Sequence, residues 1–296
     1  VNAVVELSRV TIDAVVMDLD GVITDTASVH EMAWKRLFDG FLATRPRPDG
    51  QDHAPFENED YRRYVDGRPR FDGALGFLTS RGIKLSSEEV NSLAEQKDRD
   101  FQDVLEHEGV RLIPGALSFL NALRLAGFRT AVVSASRNAN AVLNRAGLAD
   151  FFDARVDGVV AAELGLPGKP DPAVYLEAAE MLRTPPQRSV VVEDALAGVE
   201  AGRRGGFGLV VGVDRAGHGQ ELLDHGADVI VADLTGLVVA PMPGGEPSGG
   251  VPSAGEPSAS ERSGGEPSAS EPAASEPIAS EPASEPQGSN GASRER

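Results

Sequence analysis

Five short apolar runs punctuate the first 240 positions: DAVVMDLD at 13–20, RTAVVSAS at 129–136, SVVVEDA at 189–195, GLVVGVD at 208–214 and DVIVAD at 228–233. None alternates strictly between apolar and polar residues, so each predicts a strand covered on both faces, as in a parallel sheet flanked by helices. The stretches between them are long enough for crossovers, and helices are predicted at 117–126, 137–146, 172–182 and 195–205. Gly127 and Gly147 stand where two of these would stop. Strand and helix in alternation make a doubly wound, Rossmann-like α/β core.

One interval breaks the alternation. From 27 to 109 the chain is polar and helix-like, with AWKRLF at 33–38, a long SSEEVNSLAEQKDRDFQDVLEHE at 86–108, and a Pro-rich loop between them. It follows the first strand directly and rejoins at IPGA, 113–116, so it is expected to stand as an inserted α-helical cap above the strands' carboxyl ends, where such folds bind ligands. The expected organisation is a core of 1–26 and 110–240, a cap of 27–109, and hinges near 25–27 and 108–114. After Pro241 the words GEPS, SASEP and IASEP recur without aromatic residues. Such a segment buries too little apolar surface to offset its chain entropy, and 241–296 is expected to be a disordered tail.

Composition narrows the function. A formal charge of -18 argues against a nucleic-acid partner, because phosphate neutralisation needs clustered Lys and Arg. The tail carries nine Glu against three Arg, so the rest of the chain is acidic as well. Without cysteine there is no disulfide framework and no thiolate metal site, which is compatible with a cytoplasmic protein. The first residues, VNAVVELSRV, lack the pattern of a secretory signal, and no later apolar run reaches membrane-spanning length; a soluble protein without a membrane partner is expected.

Four clusters of chemically capable residues fall at predicted strand ends or helix starts. Asp18-Leu19-Asp20-Gly21-Val22 places two carboxylates on one side of a strand exit. Glu193 and Asp194 end another strand; they suit either a hard divalent cation or the positive end of the following helix. Ser134, Ser136, Arg137 and Asn138 open a helix and suit either phosphate binding or ordinary N-capping. Lys169, in Gly168-Lys169-Pro170, is either a surface charge or a partner for phosphoryl oxygens. Together they supply a nucleophile, a hydroxyl anchor, a cation and metal-binding carboxylates, the parts needed for phosphoryl transfer through an aspartyl-phosphate.

In that order Asp18-x-Asp20, Ser134, Lys169 and Glu193-Asp194 resemble the signatures of the haloacid dehalogenase-like hydrolase superfamily, over residues 12–234. The string DLDGVITDTASVHEMAWK and the segment SASRNA resemble its β-phosphoglucomutase-like branch. The resemblance implies that Asp18 attacks phosphorus and Asp20 is the general acid and base. It also implies that Mg2+ is held by Asp18, the Asp20 carbonyl, Glu193 and Asp194, while Ser134 and Lys169 grip the transferring group. The substrate would be a small sugar phosphate, β-glucose 1-phosphate, passing through the 1,6-bisphosphate. Ser136, Arg137 and Asn138 would hold the phosphate that is not reacting, joined by a cap arginine for which Arg68 and Arg70 are candidates, Arg70 aligning better. His30 and Lys97 match cap residues that couple closure to proton transfer, and Trp34 a sugar-facing position. Read unaided, His30 and Trp34 suit cap packing and Lys97 a solvated helix face.

Two features depart from the branch pattern. Arg137 replaces a usual lysine, and an added Pro-rich stretch at 44–56 borders the substrate opening. The rival readings are a magnesium-dependent sugar-phosphate phosphatase and a non-catalytic module that recruits a partner through its acidic tail. A monomer is expected, because one core and its own cap complete the site.

Overall fold

The computed structural model describes residues 4–46, 48 and 50–241. The expected disorder of 241–296 therefore lies outside the described residues, except at Pro241. Eight strands are present among the described residues: β1 (Val5–Leu7), β2 (Ala14–Asp18), β3 (Arg129–Val133), β4 (Ala154–Val156), β5 (Ser189–Glu193), β6 (Leu209–Val213), β7 (Val229–Val231) and β8 (Leu237–Val239). Six form an all-parallel sheet in the order β4-β3-β2-β5-β6-β7, and β1 pairs with β8 apart from it.

Burial on both faces explains the continuous apolar runs. Every residue of β2 and β5 is buried. Successive side chains point to opposite faces, so Val15, Met17, Val132 and Val192 join one apolar layer, while Ala14, Val16, Ala131 and Val191 join the other. The layers are covered by α5 (Ala116–Leu125), α6 (Ala139–Arg145), α7 (Gly158–Leu164), α8 (Ala173–Met181), α9 (Leu196–Arg204) and α10 (Gly219–Asp224). The four helices expected from the sequence occur within about two residues at each end, the usual scatter of helix boundaries. Gly127 and Gly147 end two of them at φ of 70° and 69°. Strand order reverses at β2, whose neighbours β3 and β5 are reached in opposite directions. This is the crevice in which doubly wound folds bind ligands.

The insert after β2 is helical: α1 (Ala27–Thr44), the single turn α2 (Asn58–Asp60) continuing into a π-helical turn at Tyr61–Val65, α3 (Arg70–Ser80) and α4 (Ser87–Glu108). Its buried residues repeat at helical spacing, Ala33, Trp34, Phe38 and Leu42 on α1 and Val90, Ala94, Lys97, Phe101 and Leu105 on α4. The insert has its own apolar cluster, in which Phe77 packs against Phe38 and Phe56 with ring centroids 4.3 and 4.9 Å away. α4 begins with a capping box: Ser86 Oγ accepts from the Glu89 N–H at 3.2 Å, and Glu89 Oε2 accepts from the Ser86 N–H at 2.8 Å.

The two chain crossings between insert and core are stitched together. The Asp25 N–H donates to the Arg111 carbonyl at 2.9 Å, and the Ile113 N–H to the Ile23 carbonyl at 3.0 Å. Among the described residues no helix is long and apolar enough to cross a membrane.

Phe77 is fully buried in the insert's cluster. Phe77→Ala should lower unfolding free energy by about 3–5 kcal/mol, read from the urea midpoint at unchanged slope. A loss below about 1 kcal/mol would show that the aromatic cluster contributes little to stability.

Candidate active site

The sheet delivers Asp18 at the last residue of β2, Ser134 just past β3 and Glu193 at the last residue of β5. Because these strands are adjacent and parallel, their carboxyl ends converge. Lys169, from the loop before α8, is only 2% exposed and lies between two of them, ion-paired to Asp18 and 2.5 Å from Glu193 Oε1. Burial opposes its charge, but Asp18 and Glu193 push its ammonium above the ordinary lysine range. Burial likewise pushes the Asp18 carboxyl up, against the pull of Lys169.

Glu193 is committed to structure around it. Oε1 also accepts from Tyr175 Oη at 3.1 Å, and Oε2 accepts from the Ala195 N–H at 2.6 Å. With no exposure and Oε1 shared by Lys169 and Tyr175, it is placed to orient Lys169. Asp194 points elsewhere. A Cβ on Gly21 would overlap its carboxylate, and with φ of 95° the turn after Asp20 needs glycine on both counts.

Asp20 turns away from Asp18. Its Oδ2 accepts from Ser134 Oγ at 2.8 Å and its Oδ1 from Thr26 Oγ1 at 2.5 Å, with His30 Nε2 3.4 Å from the same Oδ1. Burial alone would raise its pKa, yet His30, Thr26 and Ser134 together hold it below the ordinary carboxylate range. Ser134 Oγ also accepts from the Ser136 N–H at 3.0 Å, so this hydroxyl is spent on Asp20 and its own loop.

The cap completes the enclosure. His30 is buried and stacked on Phe101 at 3.9 Å, and Lys97 hydrogen-bonds its Nδ1. Burial, then the Lys97 charge, lowers the His30 pKa, so its imidazole is neutral at pH 7: Nδ1 accepts from Lys97 and Nε2–H faces Asp20. Lys97 is not a solvated surface residue, being 4% exposed with its ammonium 4.9 Å from the Phe101 ring centroid and 5.4 Å from that of Trp34. Its pKa is pushed down to about 8, chiefly by burial.

Asp18, Asp20, His30, Trp34, Lys97 and Asp194 line one cavity of about 60 Å³, together with Arg68, Arg70, Ser136 and Arg137. That is a few waters' worth. Asn138 does not line this cavity. Its amide is turned to the cap, donating to Asp98 Oδ1 at 2.7 Å and accepting from Gln102 Nε2 at 2.9 Å.

Several participants escaped the sequence reading; Thr26, Tyr175, Asp98 and Gln102 are described above. Another, Asp66, reaches the same cavity from the cap, and burial, then Glu193, pushes its carboxyl up to about 7. Nothing in VDGRPR marked Asp66, because what brings it here is the pressing of its loop on the core: a Cβ on Gly168 would overlap the Pro69 ring. Asp194 is also pushed up, by burial and then by Asp66, Glu193 and Asp18. Such crowding of hard oxygens is relieved by a divalent cation. Among the described residues no three acidic or imidazole side chains converge as a complete cage. The cavity-lining carboxylates Asp18 and Asp194 are hard oxygen donors of the kind that suits magnesium.

The chain matches the haloacid dehalogenase-like hydrolase family over residues 12–206. It is 43% identical over 238 residues to a β-phosphoglucomutase of Mycobacterium bovis, covering 76% of this chain and 91% of that protein. It is 32% identical over 222 residues to a phosphorylated carbohydrates phosphatase of Thermotoga maritima, covering 74% and 94%. A solved β-phosphoglucomutase from Clostridium difficile superposes with a TM-score of 0.61 at 29% identity, covering 75% of this chain and 92% of that one. Four strand-end clusters in the family's order, on its fold and at this level of identity, lead to one conclusion: the chain belongs to the haloacid dehalogenase-like hydrolases.

Proposed function

We infer that the protein is a β-phosphoglucomutase, interconverting β-glucose 1-phosphate and glucose 6-phosphate through an aspartyl-phosphate and the 1,6-bisphosphate. The observation that carries the reading is the division of labour between Asp18 and Asp20. Asp18 has one oxygen on Lys169 and the other on the Asp20 N–H at 2.8 Å, as a nucleophile needs, while Asp20 is an ionised carboxylate anchored by Thr26 and Ser134. Identity to a mutase over nine-tenths of its length supports the substrate class.

In this reading phosphorylated Asp18 donates to the 6-hydroxyl of β-glucose 1-phosphate while Asp20 removes that hydroxyl's proton. The bisphosphate turns over within the site. Asp18 then attacks the phosphorus at C1, and Asp20 returns the proton to the departing O1, releasing glucose 6-phosphate and regenerating the phosphoenzyme. Lys169 neutralises charge on Asp18 and the transferring group, oriented by Glu193 and Tyr175. Arg70 and the Ser136–Asn138 helix start, with the Arg137 guanidinium and the Ser136 hydroxyl as donors, hold the phosphate that is not reacting. His30, Trp34 and Lys97 link the cap to Asp20 and exclude water. Magnesium would be held by Asp18, the Asp20 carbonyl, Glu193 and Asp194, where it would offset carboxylate charge and polarise the phosphoryl group.

The phosphatase reading uses the same nucleophile and is favoured by the similarity to a carbohydrate phosphatase. Phosphorus NMR with magnesium and β-glucose 1-phosphate separates the two. Glucose 6-phosphate should form only with a trace of glucose 1,6-bisphosphate, and chelation with EDTA should stop it; steady release of inorganic phosphate without primer would select the phosphatase.

Asp20→Ala should lower kcat by about 10²–10⁴, the usual contribution of a general acid and base. A loss below about tenfold would move the proton transfer to another group.

Lys97 is protonated below about pH 8 and loses its charge as pH rises through that value. The pH profile of kcat/KM should therefore fall on its alkaline side near 8, and Lys97→Arg should shift that limb upward. An unmoved limb would assign the titration to a different residue.

A further inference from the structure

Asp98, on α4, touches both halves of the molecule. Its Oδ2 pairs with Arg70 Nη1 at 2.8 Å, and its Oδ1 accepts from Asn138 Nδ2 at 2.7 Å. Asn138 belongs to the core, immediately before α6, and is 7% exposed. Gln102 stands four residues after Asp98 on the same helical face and donates to the other end of the Asn138 amide at 2.9 Å. The donor and acceptor of one buried core amide are thus matched by an acceptor and a donor on one cap helix.

We propose that Asp98 is a positioning residue that aims Arg70 at the phosphate that is not reacting, and that the Asp98–Gln102 pincer on Asn138 makes this aim conditional on cap closure. This deepens the mutase reading and rests on it for the identity of the ligand. Arg70 is the first residue of α3 and, like Asp98, is partly exposed. A guanidinium has five N–H donors in a fixed plane, so a carboxylate that holds one nitrogen sets the direction of the rest. Arg70 and Asp98 line the cavity beside Ser136 and Arg137, which places the aimed donors opposite the start of α6. When the cap lifts, Asp98 loses Asn138, and Arg70 leaves with the cap.

The amide geometry gives a test with complementary substitutions. Asn138→Asp sets a carboxylate against Asp98 and should break the pincer. Adding Asp98→Asn restores a matched pair with its polarity reversed, since Asn at 98 can donate to Asp at 138 while Gln102 still donates. Asp98→Asn alone keeps the pincer, because an amide oxygen still accepts from Asn138, and loses the ion pair with Arg70.

Closure can be read without chemistry, because Trp34 is the single tryptophan of the chain, is 3% exposed and lines the cavity. Acrylamide should quench Trp34 fluorescence more strongly in Asn138→Asp than in the parent, and the double variant should return to the parent's protection. The KM for glucose 1,6-bisphosphate should rise about tenfold in Asn138→Asp, the scale of losing one charge-assisted hydrogen bond. It should rise also in Asp98→Asn, with quenching there unchanged. Parent-like quenching in Asn138→Asp, no recovery in the double variant, or an unchanged KM in Asp98→Asn would each overturn the proposal. Failure of the parent to convert β-glucose 1-phosphate would instead remove the mutase reading, and the quenching series would still decide the pincer.

Discussion

Lys169 sits between carboxylates carried by two adjacent strands, and the chemistry of the site is arranged around that contact. An ammonium with 2% exposure is tolerable only because Asp18 and Glu193 compensate it. The compensation in turn fixes what each carboxylate can do. Glu193, also tied to Tyr175 and to the Ala195 N–H, is held in place as part of the scaffold. Asp18 keeps one oxygen on Lys169 and is oriented by the Asp20 amide. The parallel sheet is what brings these groups together, since neighbouring parallel strands end side by side.

Asp20 and the cap form a second layer on this foundation. Asp20 is anchored on the core by Ser134 and approached from the cap by His30, which Lys97 contacts in turn. A lysine inside the apolar stripe of α4, between Ala94 and Phe101, lies where packing alone would favour an apolar residue. Its burial is compensated by the Phe101 and Trp34 ring faces and the His30 imidazole.

Four of the five strands that sequence reading found are buried along nearly their whole length, where burial leaves an unbroken apolar run; the fifth, β7, is a sheet-edge strand whose Val229 and Ile230 are only partly buried. β4 escaped because its three residues include the partly exposed Arg155, and β1 and β8 because each has only three residues and one partner. α7 carried a usable signal, the Asp157 side chain accepting from the Val159 and Val160 amides at 2.9 and 3.1 Å, before a glycine that obscured it. Within the site, the groups on strand ends were legible because spacing and topology bring them together. Asp66 and Asp98 were missed, because their partners lie across the cap–core boundary. Sequence spacing carries no record of how two separately folded layers meet.

The pairing of β1 with β8 also sets where the chain leaves the sheet. The Ala240 N–H donates to the Leu7 carbonyl, and one turn, closed by the Ile12 N–H on the Ser8 carbonyl, separates Leu7 from the start of β2. The segment after β8 therefore departs from the amino edge of the sheet, whereas Asp18 and the cap stand at its carboxyl edge. A cut or insertion placed at Ala240 would therefore fall on the side of the sheet opposite Asp18.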